Sequence, residues 1–333
     1  MTAAHLPADM HAAWITAHGG PEALHLGRLP VPQPGPTDVL LRMQAAALNP
    51  VDVFVCSGAY RTHLPFPFVP GRDVVGRVVA AGPGVSGIQA GDVLWSNSLG
   101  HGGRQGVLSE YVLVPVDRAY RLPAGVTAHD AVAVLHCAAT AWLGLWREAN
   151  LRAGECVFVE GAAGGVGSAV VHMAARAGAR VIATAASADH ADCLANGASA
   201  VLDYQAPDRY ARLRRLAPEG IDVWWDTSGH YAFAEVLGQM RPRGRVIIMA
   251  GLGRSRPVLP VGDVYTRDVR LCGFAISNAG VADLAQAARA INRSLAEGGL
   301  RAREGARYPL AEADTAFAAL VSQEVRGRIL VIP

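Results

Sequence analysis

The chain has 333 residues, 51 % of them hydrophobic and 17 % charged, with a formal net charge of +2. That is enough apolar material for two cores, and the near balance of charge excludes a polybasic binder of nucleic acid or anionic membrane. The 30 basic residues are all arginines, scattered along the chain, and the five cysteines are widely spaced without a CxxC pair, which excludes a disulfide framework and a structural zinc knot.

The N-terminal MTAAHLPADMHAAW lacks the basic flank and apolar run of a signal peptide, and residues 1–9 read as a loose leader. From residue 11 to about 128 the chain reads as mostly β. Short apolar stretches at Val39–Arg42, Val74–Val79 and Tyr111–Val114 are separated by Gly/Pro turns at 19–21, 33–36 and 82–84. That pattern predicts a compact barrel-like or sandwich domain. The glycine-rich segment 100–106 leads into a strand-like stretch, so it reads as a loop. Ala131–Glu148 predicts one long apolar helix, too short to cross a membrane. Strands then alternate with helices: strand Cys156–Val159, helix Val166–Ala177, strand Val181–Thr184, helix Ala188–Ala195 and strand Ala200–Leu202. Helix Asp208–Leu216, strand Val223–Trp225, helix Tyr231–Met240 and strand Arg245–Met249 complete the series. The alternation predicts βαβ units and a parallel sheet with helices on both faces. The arginines at 212, 214 and 215 read as a solvated helix face. After Gly251 the alternation stops, and strand Val269–Ala275, helix Val281–Ala296 and strand Ile329–Ile332 are assigned back to the first domain. The expected division is 1–129 with 269–333, interrupted by 130–268.

Residues 156–167, CVFVEGAAGGVG, run an apolar strand into a glycine turn that opens an amphipathic helix, with a second strand beyond it. That is the context in which a dinucleotide fingerprint is credible. Ala162, Gly164, Gly165, Val166 and Gly167 form the turn, whose backbone approaches a pyrophosphate held by free N–H groups at the helix N-terminus. An acid at the tip of the second strand would hold the ribose 2′-OH of NAD. Here the tip is Ala185-Ala186-Ser187, without one, so the expectation is NADPH, with Ser187, His190 and Tyr204 supplying donors and a stacking face.

AAWITAHGGPEAL near the start, NPVDVFVCSGAY at 49–60, VPGRDVVGRVVAAGPGV at 69–85, AGD at 90–92, ATAW around Thr140, GAAGGVG and DTSG at 226–229 occur in this order. Together they resemble the medium-chain dehydrogenase/reductase superfamily and, within it, the zinc-free quinone oxidoreductase branch, over nearly the whole chain from His11 to Pro333. The resemblance implies an α/β fold in which a doubly wound Rossmann domain is inserted in a mainly β, GroES-like catalytic domain. Members with catalytic zinc bind it through positions that match Asn49, Arg72 and His136 here. An amide and a guanidinium are not zinc ligands, so no metal is expected.

The resemblance further implies an NADPH-dependent reductase that passes a hydride to a quinone or an α,β-unsaturated carbonyl, with Tyr60 and Asn49 donating to the substrate oxygen. Asp52 is expected to support its loop, and Cys56 stands where quinone reductases commonly have Arg. By the same likeness Thr140 lies near the nicotinamide, with Gly251 and Ala275–Ser277 passing it, and Tyr204 flanks the 2′-phosphate. Phe66, Phe68 and Trp95 are candidate pocket walls. A 2-enoyl-thioester reductase and a non-catalytic NADPH-binding protein of the crystallin or RNA-binding kind are the alternatives. A cytoplasmic homodimer is expected, pairing through an apolar edge strand near Val258–Val264, with no nucleic-acid or membrane partner.

Overall fold

The computed structural model describes residues 6–252 and 256–333. It divides into two compact units, one formed by Met1–His136 with Gly280–Pro333 and the other by Cys137–Ala279. Among the described residues no helix is long and apolar enough to cross a membrane.

The first unit is β-rich. Strands β1 (Asp9–Trp14) and β2 (His25–Pro30) form an antiparallel ribbon. Asp9 therefore already belongs to a strand, and of the expected leader residues 1–5 lie outside the described residues. Strand β3 (Asp38–Ala47), helix α1 (Pro50–Cys56) and strands β4 (Asp73–Ala81), β5 (Val93–Ser96), β6 (Tyr111–Pro115) and β7 (Tyr120–Arg121) follow, then helix α2 (Ala128–Val132). The ten-residue β3 pairs antiparallel with β4 and with β6. Its side chains alternate between two cores: Val39, Leu41 and Met43 enter the main cluster, while Leu40 joins Met10 and Val31 on the other face. Trp95 on β5 and Phe68 are fully buried rather than lining a pocket, and the Trp95 indole N–H donates to Asn292 Oδ1 at 2.9 Å. Phe66 is exposed and meets the His18 ring edge-on.

The predicted helix 131–148 is broken. Helix α3 (Leu135–Trp142) begins after a turn and continues into a wide π turn, Leu143–Glu148, where Gly144 lies against the Trp225 ring. A Cβ on Gly144 would fall 2.2 Å from that ring, so glycine allows the approach.

The second unit contains β8 (Cys156–Glu160), α4 (Gly165–Arg176), β9 (Arg180–Ala185), α5 (His190–Ala195), β10 (Ala200–Asp203) and α6 (Arg209–Leu216). It continues with β11 (Ile221–Asp226), α7 (Phe233–Leu237), β12 (Met240–Ile248), α8 (Val261–Tyr265) and β13 (Arg270–Gly273). All six strands are parallel, in the order β10-β9-β8-β11-β12-β13. Val157, Phe158 and Val159 are all fully buried, because helices cover both faces.

Three expectations change here. β13 pairs with β12, so the second unit runs to Ala279 instead of ending at 268, and α8 extends the alternation by one more step. A short apolar strand suits either sheet; only the free edge of β12 decides its partner. The segment expected as an edge strand near Val258–Val264 is coil leading into α8, with Val258, Val261 and Tyr265 exposed. The helix expected over 231–240 shrinks to α7, since Met240 pairs with Ile221 in the sheet.

The chain returns to the first unit with α9 (Val281–Ala296), β14 (Glu304–Pro309), α10 (Ala313–Ser322) and β15 (Arg328–Ile332). Leu284, Ala287, Ala288, Ile291 and Leu295 make one buried stripe on α9, and β15 pairs antiparallel with β3.

Candidate functional site

In the second unit the strand order reverses at β8 and β11, the place where open parallel sheets bind nucleotides beyond their carboxyl ends. The glycine turn lies there. Gly161 has φ +76°, Ala162 is buried with its N–H on the Thr184 carbonyl at 2.9 Å, and Gly164 is the exposed residue preceding α4. A Cβ on Gly167 would lie 2.2 Å from the Gly161 carbonyl oxygen, so this glycine sets how closely α4 approaches β8. Gly165, Val166 and Gly167 open the helix, where backbone N–H groups have no intrahelical acceptor and face an incoming anion. The donor set fits a pyrophosphate.

Around the end of β9 the structure gathers Ser187, His190 and Tyr204. The His190 Nε2 lies 3.3 Å from the Ala185 carbonyl, the Tyr204 N–H donates to the same oxygen at 3.3 Å, and the Tyr204 ring is half exposed. The expectation that no acid reaches this tip needs correction. Asp203, at the end of β10 and opposite Ala185, accepts the Ser187 hydroxyl at 2.5 Å. That hydrogen bond, with the Gln205 N–H, holds the Asp203 carboxyl below its ordinary range. The acid comes from the neighbouring strand by pairing, which local sequence does not show.

Gly251 (φ +92°) follows β12 and packs backbone to backbone on Gly229 (φ +77°), which follows β11. Tyr231 holds this turn: its hydroxyl oxygen accepts from the Met249 and Ala250 N–H groups at 3.2 and 3.1 Å. Tyr231 carries no local sequence signal for this role, because its partners lie 18 and 19 residues away. Ala275 precedes a short turn at Ile276–Asn278, and the buried Ser277 hydroxyl has no hydrogen-bond partner among the described residues. Thr140 is buried on α3.

The first unit holds a buried polar cluster. Asn49, at the start of α1, donates through Nδ2 to Asp73 Oδ2 at 2.9 Å and to the Ala47 carbonyl at 3.5 Å, while its Oδ1 accepts from Arg328 at 2.8 Å. Every polar atom of that side chain is engaged inside the unit, so Asn49 has no N–H left for a substrate, and its expected donor role is withdrawn. Asp52 accepts from the Asn49 N–H at 2.8 Å, as a loop support should. Burial pushes Asp52 up to about 6 and Asp73 up to about 7, although Arg72 and Arg328 oppose it. His136 is buried in the same cluster, and burial with the two guanidinium charges holds it well below the ordinary histidine range, hence neutral. Arg72 is 1 % exposed, its Nε 3.9 Å from Asp52 Oδ1, with Nε and Nη2 unbonded among the described residues. Burial pushes the Cys56 thiol up to about 12. Tyr60 follows α1, with its N–H on the Phe54 carbonyl and its half-buried ring edge-on to His101 at 5.6 Å. Asn49 and Tyr60 thus flank one helix, Asn49 buried and Tyr60 half-buried. Among the described residues no group of three His, Cys, Asp or Glu side chains is placed to hold a metal.

Comparison with known proteins agrees with this architecture. Residues 35–124 match the family model described as alcohol dehydrogenase GroES-like domain, and residues 165–293 the one described as zinc-binding dehydrogenase. A curated relative, the quinone oxidoreductase of Lama guanicoe, is 30 % identical over 97 % of both chains. Among solved structures, a mycobacterial protein complexed with NADPH superposes with a TM-score of 0.84 at 28 % identity, covering 97 % of this chain and 100 % of the other. An NAD-dependent alcohol dehydrogenase superposes at 0.87 with 33 % identity, again over 97 % and 100 %.

Proposed function

Because the chain belongs to the quinone oxidoreductase branch of the medium-chain dehydrogenase/reductase superfamily, we propose that it is an NADPH-dependent reductase of quinones or α,β-unsaturated carbonyls that works without a metal. The observation that carries this reading is the polar cluster of the first unit. At the three positions matched to zinc ligands stand an amide already bonded on all sides, a buried guanidinium and a neutral histidine. A cation beside Arg72 would meet like charge, so an acceptor must be electron-poor on its own account.

Bound NADPH supplies the hydride. The protein's own residues do the rest: the glycine turn and the N-terminus of α4 take the pyrophosphate, and Ser187, His190 and Tyr204 surround the adenosine ribose. Tyr60 donates to the oxygen on which negative charge gathers as the conjugated carbon is reduced. The mycobacterial neighbour with NADPH and the absence of an acid on β9 itself support the phosphorylated cofactor. The Asp203 carboxylate beside Ser187 works against it, so the margin over NADH is small. We also propose a homodimer, using the exposed Val258, Val261 and Tyr265; a monomer by light scattering at micromolar concentration rejects it.

The test is NADPH oxidation with 1,4-benzoquinone, 9,10-phenanthrenequinone, an alkenal and crotonyl-CoA. Turnover of a quinone or the alkenal is expected. Turnover of crotonyl-CoA alone points to a thioester reductase, and inertness toward all four removes the proposal.

A further inference from the structure

The loop at 100–106 belongs to the first unit and is built closely onto it. Gly100 (φ +63°) lies on the Gly71 backbone, where a Cβ would be 2.6 Å from the Gly71 carbonyl oxygen. The Gly102 N–H donates to the Thr62 hydroxyl at 3.0 Å and the Gly103 N–H to the His63 carbonyl at 3.1 Å. The loop is thereby held between Arg72, which follows Gly71, and the segment that carries Tyr60. Two further arginines converge on one residue there: Arg104 Nε donates to the Ser98 carbonyl and Arg118 Nη1 to the Ser98 hydroxyl, both at 3.3 Å.

We infer that Arg72, Arg104 and Arg118 build an anion-binding site around His101, and that the acceptor is a conjugated carbonyl compound that also carries a carboxylate. The inference rests on the reductase reading for the carbonyl, but the anion site stands on its own geometry. Arg104 and Arg118 spend the bonds to Ser98 on neutral oxygens, which leaves their charge uncompensated at that residue. Arg72 is nine-tenths buried or more, with two nitrogen atoms unbonded among the described residues. A buried guanidinium with idle N–H groups is costly unless an anionic oxygen meets them. The three arginines also act on one another. Burial, then Arg72, Arg104 and Arg118 in turn, push His101 down to about 4, and Arg104 is lowered by burial and then by Arg118 and Arg72. His101 is therefore a neutral imidazole at physiological pH, adding no charge of its own, and its ring touches that of Tyr60. The exposed Asp117 is an acid whose charge reaches Arg104, and the buried Asp52 and Asp73 both reach Arg72. A carboxylate seated here places the rest of a short substrate beside Tyr60.

The experiment compares (E)-4-oxopent-2-enoate with its methyl ester as acceptors. The ester is the more electrophilic of the two, so intrinsic reactivity opposes the expected result. A bond from a charged donor to a carboxylate predicts a kcat/KM about tenfold or more higher for the acid. In Arg104→Gln the acid-to-ester ratio should fall about tenfold, chiefly through KM, and Arg118→Gln should act in the same direction. Calorimetry with the saturated 4-oxopentanoate and its methyl ester supplies a readout that needs no turnover. A wild-type acid-to-ester ratio of one or less overturns the inference whatever the variants do, and leaves the reductase reading intact. If neither enone is reduced, tenfold tighter binding of 4-oxopentanoate than of its ester upholds the anion site and removes the carboxylate-bearing enone as the acceptor, while the quinone and alkenal assays decide the reductase reading. Equal binding removes the site.

Discussion

Gly167 and Tyr60 show two ways in which one residue carries the reading. At Gly167 the constraint is space: a methyl group would sit 2.2 Å from the Gly161 carbonyl oxygen and 2.8 Å from the Ala162 Cα, both backbone atoms that cannot swing aside. Gly167→Ala should therefore push α4 off β8, costing roughly 1–3 kcal/mol as overpacked sites do, and loosen the nucleotide turn. Thermal melting and NADPH titration check this, and unchanged values for both would refute it. At Tyr60 the constraint is chemical. Tyr60→Phe keeps the ring against His101 and removes one donor. Loss of a donor to a developing oxyanion costs about 2.7–4 kcal/mol in hydrolases, and a quinone, whose product charge is delocalised, needs less help. The expected outcome is a larger loss of kcat for an alkenal than for a quinone with NADPH affinity unchanged. Turnover of every accepted substrate within a factor of two means that Tyr60 only packs.

Among the elements, the carboxyl ends of the parallel strands bring acids together that are far apart in the chain. Glu160 at the end of β8 pairs in register with Asp226 at the end of β11 and accepts the Trp224 indole N–H at 2.8 Å. Burial first, and the Asp226 charge second, push Glu160 up to about 7. Between its unfolded value of 4.5 and about 7, the folded protein holds a proton that the unfolded chain has released. Stability from this group therefore falls as pH rises through that window and stays low above it. Glu160→Gln keeps an oxygen for the indole and abolishes the titration. Its melting temperature should gain on the wild type as pH rises from 5 to 7.5, and a pH-independent difference between the two proteins contradicts the assignment. The end of β10 offers the second case. Asp203→Asn removes the negative charge beside Ser187, so the ratio of NADPH to NADH affinity should rise severalfold; a ratio that does not move places the ribose elsewhere.

At the scale of the whole chain, one nucleotide-binding unit interrupts a β-rich unit whose polar centre is an ion network. Asn49, Asp52, Arg72, Asp73, His136 and Arg328 come from segments spread over 280 positions, 49 to 328, and are all buried. Three of its members, Asn49, Arg72 and His136, stand at the positions expected to match zinc ligands. Metal analysis should find far less than one zinc per chain, and activity should survive a strong chelator. A stoichiometric zinc whose removal abolishes turnover overturns the metal-free mechanism.

The sequence by itself determined the two-part organisation, the parallel sheet and the nucleotide turn. Each rests on local information: strand and helix periods, and a glycine spacing that only a tight strand–helix turn requires. Ser187, His190 and Tyr204 gather around one strand end for the same reason, since they follow β9 and β10 within a few residues. The tertiary structure alone decided what depends on pairing and burial. β13 joins the edge of β12 although its short apolar pattern suits either sheet. Asp203 reaches the Ser187 hydroxyl because strand register sets it opposite Ala185. The Asn49 side chain is held inside the unit because its Nδ2 donates to Asp73 and its Oδ1 accepts from Arg328, 24 and 279 residues away. Arg104 and Arg118 meet at Ser98 only in the folded loop, a contact between residues whose spacing in the chain carries no signal.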